Sequence, residues 1–191
     1  AGHAECECKE KASRFIGRVF PIDSKENAEE ILKQIRKKEH SATHHCFAWV
    51  TRDSFRYSDD GEPNGSAGKP IYDQLCGAEL VNALVVVTRY YGGTKLGVGG
   101  LVRAYASATK TALEKAGSVE CFDYQRFTLQ AKISQYQRLL ALVEQTETQI
   151  EETVFSDIVT ATVRIRESRV ALFSKELSEI TRGKSELREL L

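Results

Sequence analysis

Two stretches of the sequence contain the residue types from which a binding or catalytic site could be built. In the loop from Ser58 to Pro70, the acids Asp59, Asp60 and Glu62 lie close together. Residues 88–105 combine arginines, tyrosines and a loop of five glycines. Carboxylates can hold a divalent cation or transfer protons, whereas arginines and glycine amides suit anions. Both kinds of chemistry therefore have to be considered.

The glycine-rich stretch favours an anion site. A preceding strand is predicted to deliver arginine and tyrosine side chains to the loop, and Gly99 and Gly100 open a helix with Arg103 in its first turn. A helix N-terminus presents unpaired N–H groups and a positive partial charge, while tyrosines can stack on unpaired bases. An alternative is that the glycines only serve tight turns and Tyr105 belongs to the core. The candidate phosphate- or nucleic-acid-binding residues are Arg56, Lys69, Arg89, Tyr90, Tyr91, Lys95 and Arg103.

The acidic loop allows two further hypotheses. Asp59, Asp60 and Glu62 could orient the arginines or hold a Mg²⁺ that phosphate completes, although no other metal or cofactor is expected. The same acids with His45 could instead act as an enzyme on a small phosphorylated substrate. Cys46 lies in an apolar run, where a thiol is usually inert. A third hypothesis is a protein-interaction module in which the basic side chains pair with acids.

Two nucleotide-binding patterns are incomplete. Pro70 follows Gly68-Lys69 where a phosphate-binding loop needs Ser or Thr. Val102 occupies the position of the third glycine in a dinucleotide fingerprint. Neither pattern therefore supports nucleotide binding.

Composition indicates an ordinary globular protein. Lys and Arg balance Asp and Glu at 27 each, so a polyanion site has to be local. No apolar run reaches the roughly 20 residues of a membrane helix, and the five scattered cysteines fit reduced thiols. We therefore expect a cytoplasmic protein that does not enter the membrane.

Residues 1–120 are predicted to form a mixed α/β domain. Apolar runs at His45–Thr51 and Leu80–Thr88 are typical of strands covered on both faces. Helical spacing follows Ser24, a short helix is allowed near Ile71, and a long helix closes at Gly117. A strand is predicted at Ser13–Pro21, and residues 6–8 are expected to lie near a frayed end.

Residues 121–191 are predicted to form a ferredoxin-like domain. Alternating and helical patterns follow in the order βαββαβ. From residue 125 onward ten basic residues balance ten acidic ones, and there is no histidine, cysteine or glycine-rich loop. Chemistry is therefore not expected in this half, although an RNA-facing sheet is possible.

Three long motifs resemble those of the IMPACT family (the Impact/YigZ group): THHCFAWV, RYSDDGEPNGSAGKP and VVVTRYYGGTKLGVGGLVRAYASA. The resemblance runs from about Ser13 to Ala116, and the second domain resembles the extension of the bacterial YigZ-type branch. It implies an α+β protein. The N-terminal domain would have the ribosomal-protein-like fold of elongation factor G domain IV, and the second would resemble domain V of that factor.

The resemblance also implies a link to translation. Eukaryotic relatives regulate translation by binding the activator of an initiation-factor kinase and associate with ribosomes, but they carry a different N-terminal module, so we do not transfer that partner. Our leading hypothesis is a translation-associated regulator that binds RNA or the ribosome in a groove between the two loops. The motif residues carried over by position are His44, His45, Arg56, Ser58, Asp59, Asp60, Gly61, Glu62, Pro63, Gly65, Gly68, Lys69 and Pro70, then Arg89, Tyr90, Gly92, Gly93, Lys95, Gly97, Gly100, Arg103 and Tyr105.

Overall fold

The structure, a computed structural model, describes residues 2–190 as two compact units that divide between Val119 and Glu120. Each unit combines one antiparallel sheet with helices, which confirms the predicted α+β class. Among the described helices, none has the length and apolar character needed to span a membrane.

The N-terminal unit is built on a five-stranded sheet with strand order β1-β2-β5-β3-β4, in which all neighbours are antiparallel. The strands β1 to β5 are Ala4–Glu10, Ser13–Pro21, His44–Val50, Phe55–Ser58 and Ala83–Tyr90. The helices α1 to α3 are Lys25–Lys38, Gly68–Gly77 and Val98–Ala116. Ser24 caps α1 by accepting a hydrogen bond from the backbone N–H of Asn27.

Both faces of this sheet are covered. Alternate residues of a strand point to opposite faces, so Val85 and Val87 of β5 pack towards α2 and α3, whereas Leu84 and Val86 pack towards α1. The prediction that the two continuous apolar runs form covered central strands is confirmed, because β5 and β3 lie side by side inside the sheet.

Two strands depart from the sequence-based expectations. Residues 6–8 do not lie at a frayed end but in β1, which pairs along its whole length with β2. Cys6 and Cys8 alternate with charged residues, and Cys6 is buried against α3 through its contact with the carbonyl oxygen of Ala108. The short strand β4 was not predicted. Its four residues do alternate, with Phe55 and Tyr57 between polar neighbours, but the segment is short, mostly exposed and without the continuous apolar run that marks β3 and β5.

The C-terminal unit has the predicted βαββαβ order. Its strands β6 to β9 are Tyr124–Ala131, Gln149–Phe155, Val159–Arg166 and Arg188–Glu189, and its helices α4 and α5 are Tyr136–Gln145 and Val170–Thr181. A short 3₁₀ turn precedes each helix. The strand order is β7-β8-β6-β9, and apolar residues from β6, β8 and both helices form the core on one face.

Candidate functional site

The first acid of the Ser58–Pro70 loop organises the loop itself. One carboxylate oxygen of Asp59 accepts hydrogen bonds from the backbone N–H groups of Ala67 at 2.9 Å and Gly68 at 2.8 Å. The other accepts from the N–H of Gly65 at 2.9 Å. The first turn of α2 contains no acidic residue of its own, so Asp59 supplies the negative charge that a helix N-terminus favours.

Replacing Asp59 with alanine should therefore loosen this loop. We expect Asp59→Ala to lower the free energy of unfolding by about 2 kcal/mol, since the N–H groups of the buried Ala67 and Gly68 lose a charged acceptor. Urea unfolding measures the loss, and faster amide hydrogen exchange at residues 65–68 locates it. The exposed Asp53→Ala is the matched control and should unfold like the wild type. Equal losses in the two variants would contradict the capping role.

The second acid ties the loop to β3 and α1. One oxygen of Asp60 lies 2.9 Å from Arg36 and the other accepts from the backbone N–H of His45 at 2.7 Å. The backbone oxygen of Asp60 contacts His44 Nδ1 at 2.8 Å. Its own N–H donates to Ser58 Oγ at 3.2 Å. Both carboxylate oxygens of Asp60 therefore already have partners.

The third acid is the centre of a buried polar cluster, which we call the Glu62 cluster (Cys46, Glu62, Arg89 and Tyr105). Glu62 Oε1 accepts from Arg89 at 2.6 Å and from the Tyr105 hydroxyl at 2.7 Å. Burial raises the pKa of the Cys46 thiol and of the Tyr105 hydroxyl, so both remain protonated hydrogen-bond donors. Cys46 Sγ lies 3.0 Å from the carbonyl oxygen of Asp59. The cluster thus joins the loop to β3, β5 and α3.

Arg89 therefore lies in a different place from the exposed anion site considered above. Its side chain is only 6% exposed, it pairs with Glu62, and its guanidinium packs over the rings of Phe15 and Tyr91. A second contact joins it to Ser13 Oγ at 3.3 Å. A guanidinium held in this way neutralises a protein carboxylate and is not offered to solvent.

The three carboxylates do not converge. Asp59 binds backbone amides, Asp60 binds Arg36 and β3, and Glu62 binds Arg89 and Tyr105. Across residues 2–190, no group of three or more His, Cys, Asp or Glu side chains could hold a metal ion. The magnesium hypothesis for these acids therefore has no cluster of ligands in the structure.

His45 also has a structural environment. It is buried and its Nδ1 lies 3.2 Å from the hydroxyl of Thr88. Burial lowers the pKa of His45, so the ring is neutral near pH 7. His44 points to the opposite face, 3.9 Å from Glu62. The two histidines therefore do not act on one point, and the structure does not assemble the acid–base group of the enzyme hypothesis.

The tyrosines of the glycine-rich stretch diverge in the same way. The hydroxyl of Tyr90 donates to Glu39, and Tyr91 packs against Arg89 with 43% of its surface exposed.

Gly92 lies against the turn between β1 and β2, because a Cβ atom there would come within 1.8 Å of the Ala12 carbonyl oxygen. Gly93 and Gly97 have φ of +86° and +71°, which glycine adopts without strain.

Four cations lie around the start of α3, and we call them the α3 basic surface: Lys9, Lys11, Lys95 and Arg103. All four are exposed. Lys11 Nζ reaches the carbonyl oxygen of Lys95 at 3.5 Å. Within the described residues, none of the four pairs with a carboxylate. Lys9 and Arg103 line a cleft of about 290 Å³ between β1 and α3, which Glu10 also lines.

The N-terminus of α3 opens onto the same region. Its cap residue is Gly97, which provides no side chain to accept from the first N–H groups, and the first turn of the helix contains no acid. Gly100 lines the cleft. The amides and the four cations concentrate positive charge at this place on a protein of zero net charge, with Glu10 as the acid that lines the cleft.

Two other predicted cations already have acidic partners. Arg56 lies 2.7 Å from Glu29, and Lys69 pairs with Asp73 one turn along α2. Lys9 and Lys11 were missed because their segment was expected to be frayed. The alternation of Cys6 and Cys8 with charged residues could have identified their strand.

Comparison with known proteins identifies the family. Residues 11–113 match the family model described as the Impact N-terminal domain, and residues 134–184 match a domain of unknown function (DUF1949). The chain is 36% identical to the IMPACT family member YigZ of Escherichia coli (strain K12), over 93% of this chain and 89% of that protein. It is 32% identical to the IMPACT family member YvyE of Bacillus subtilis (strain 168), over 93% of this chain and 83% of that protein.

A solved structure shares the fold. A crystal structure described as a hypothetical protein shares 35% identity with this chain, covers all of it and 95% of the solved chain, and superimposes with a TM-score of 0.66. Both units, the loop motifs and the fold agree, and the protein belongs to the IMPACT family.

Proposed function

We propose that this protein is a translation-associated regulator that binds single-stranded RNA or exposed ribosomal RNA through the α3 basic surface. Membership of the IMPACT family supports a general translation-related regulatory role. The observation that carries the finer proposal is the coincidence of unpaired cations with an uncapped helix N-terminus. Four side chains without acidic partners among residues 2–190 lie around the start of α3, and the first backbone N–H groups of this helix have no side-chain cap.

The chemistry of this surface fits a phosphate backbone. Lysine and arginine bind phosphate oxygens and release counterions from the nucleic acid, while helix amides bind the same oxygens. Tyr91 is exposed beside the glycine loop and can stack on an unpaired base. Of the cations expected from sequence, Lys95 and Arg103 keep this role, and Lys9 and Lys11 join them.

The test is RNA binding across a salt series. We expect a fluorescently labelled single-stranded oligonucleotide, and ribosomes in a pelleting assay, to bind more weakly as salt rises. Arg103→Ala and Lys95→Ala should each lower the log–log salt slope by about 0.7 to 1, as loss of one phosphate contact requires. Lys37→Ala removes an exposed cation from α1, on the other face of the sheet, and should leave the slope unchanged.

Two results would overturn the proposal. One is the absence of binding to either probe at low salt. The other is an equal reduction of the slope by Lys37→Ala and by Arg103→Ala, which would show diffuse attraction instead of a defined surface. If Tyr91→Ala lowers the affinity at every salt concentration without changing the salt slope, the result would support stacking of a base on Tyr91.

A further inference from the structure

The strand β4 lies at the end of the N-terminal sheet, so among residues 2–190 one of its long edges has no neighbouring strand. The hairpin between β3 and β4 closes with the N–H of Thr51 donating to the oxygen of Ser54 at 2.8 Å. Hydrogen-bonded pairs alternate along an antiparallel ladder. The backbone groups of Arg56 therefore face β3, and those of Phe55 and Tyr57 face outward from the sheet.

The face of β4 towards α2 is aromatic and exposed. Phe55 is 56% and Tyr57 is 40% exposed. The Phe55 ring stacks on Tyr72 of α2 with 4.8 Å between centroids, and the Tyr57 ring lies 5.5 Å from the same Tyr72. Apolar side chains beside an open strand edge are a typical site for pairing with another chain. This face therefore favours an apolar partner.

The face of β4 towards α1 borders a cleft of about 880 Å³. Trp49 lines it, is 96% buried, and its Nε1 has no acceptor among the described residues. Lys33, on the α1 wall, makes no ion pair within that part of the chain, whereas Arg56 pairs with Glu29. The other charged residues lining the cleft are Lys25, Glu26, Glu30 and Arg36.

We propose that the open edge of β4 binds an extended segment of a partner protein as a sixth strand, with apolar residues on the α2 face and an acidic residue on the α1 face. Main-chain hydrogen bonds to Phe55 and Tyr57 would provide affinity, and alternate side chains would provide specificity. Adding a strand satisfies the backbone groups that β4 leaves unpaired.

Charge at the centre of β4 defines the acidic position. Because the backbone groups of Arg56 face β3, a residue opposite it on an added strand forms the closer, non-hydrogen-bonded kind of pair. An opposite charge there stabilises and a like charge destabilises. A carboxylate at that position approaches Arg56 from the cleft side, where it competes with Glu29 for Arg56 and comes near Lys33, which makes no ion pair within residues 2–190.

The same reasoning disfavours a second copy of this chain as the occupant. In the antiparallel register that hydrogen-bonds Phe55 of one copy to Tyr57 of the other, the two Arg56 side chains face each other directly. Like charges in directly opposed positions are destabilising. An acidic partner segment avoids this repulsion.

The experiment uses the only tryptophan of the chain as its reporter. Titrating the 191-residue chain with a synthetic octapeptide that alternates valine and glutamate should change the fluorescence of Trp49 saturably. A peptide with lysine in place of glutamate should bind at least about tenfold more weakly. A glutamate peptide with N-methylated backbone amides should not bind, because it cannot complete the ladder.

Variants separate the contributions of backbone and side chain. Tyr57→Pro removes the outward N–H, which an edge strand tolerates, and should abolish binding, whereas Tyr57→Ala keeps this donor and should weaken it less. Arg56→Glu should reverse the preference in favour of the lysine peptide. Lys33→Ala should weaken binding of the glutamate peptide, and Lys37→Ala on the same helix should not.

Several outcomes would overturn the proposal. These are no saturable change up to about 1 mM peptide, equal binding of the N-methylated peptide, or no change of preference in Arg56→Glu. Arg103→Ala should leave peptide binding intact. The peptide and RNA proposals can therefore fail separately.

Discussion

Replacing Glu62 with alanine should destabilise the N-terminal unit by about 3–5 kcal/mol, the loss expected when one partner of a buried ion pair is removed. The Glu62 side chain is 3% exposed and that of Arg89 is 6% exposed. Without the carboxylate, the Arg89 guanidinium stays buried without a counter-charge, and the Tyr105 hydroxyl loses its acceptor. Urea unfolding should show a much lower midpoint for this variant than for the wild type.

A surface acid provides the matched control. Glu29 pairs with Arg56 at a similar distance, but their side chains are 46% and 58% exposed. Glu29→Ala should therefore cost less than about 1 kcal/mol. Glu62→Leu combined with Arg89→Met should recover much of the loss, because an apolar pair leaves no buried charge. A Glu62→Ala variant as stable as Glu29→Ala would refute the central role of this cluster.

Replacing Gly92 with alanine should displace the turn between β1 and β2. The added Cβ would lie 1.8 Å from the oxygen and 2.2 Å from the carbon of the Ala12 carbonyl, and backbone cannot move aside as a side-chain tip can. We expect a loss at or above the upper end of the about 1–3 kcal/mol typical of overpacking. Because Lys11 lies on that turn, RNA affinity should also fall.

Gly99→Ala provides the comparison, since it makes the same change within the same glycine-rich segment. A Cβ at Gly99 has its nearest contact with Arg103 Nη1 at an ordinary 3.5 Å, and the residue already lies in α3. This variant should unfold within about 0.5 kcal/mol of the wild type. If both alanine variants unfold alike, the close approach of Gly92 to Ala12 is not rigid.

The fold was more predictable from sequence than the roles of the loop residues. Continuous apolar runs identified β3 and β5, because strands covered on both faces need apolar residues at every position. The exposed face of β4 gives no such pattern. The pairing of β1 depends on β2 and α3, which local sequence does not specify. The alternation within β1 could have indicated a strand, but the partners of β1 and β4 in the sheet depend on tertiary contacts.

The side chain of Arg89 illustrates the limit for the candidate site. Strand alternation places Arg89 on the same face as Val85 and Val87, and this could be deduced from the sequence. Its burial depends on Glu62, which arrives from a loop 27 residues earlier in the chain. The role of Asp59 could not be predicted either, because the backbone N–H groups that it binds come together only when the loop is folded. The residue types showed which side chains are charged, but the fold determines which groups these side chains bind.

The order of strands in the N-terminal sheet has a consequence for how the chain folds. The central strand β5 pairs with β2 and β3, yet it follows both of them and β4 in the sequence. During synthesis the hairpins β1–β2 and β3–β4 can form as local units, but they cannot join until β5 has been made. Because synthesis adds about 5–20 residues per second, the two hairpins remain unpaired with each other for seconds, and their apolar edges stay exposed during that time. Assembly of this unit is therefore controlled by one late, long-range insertion, and such non-local pairing is slow.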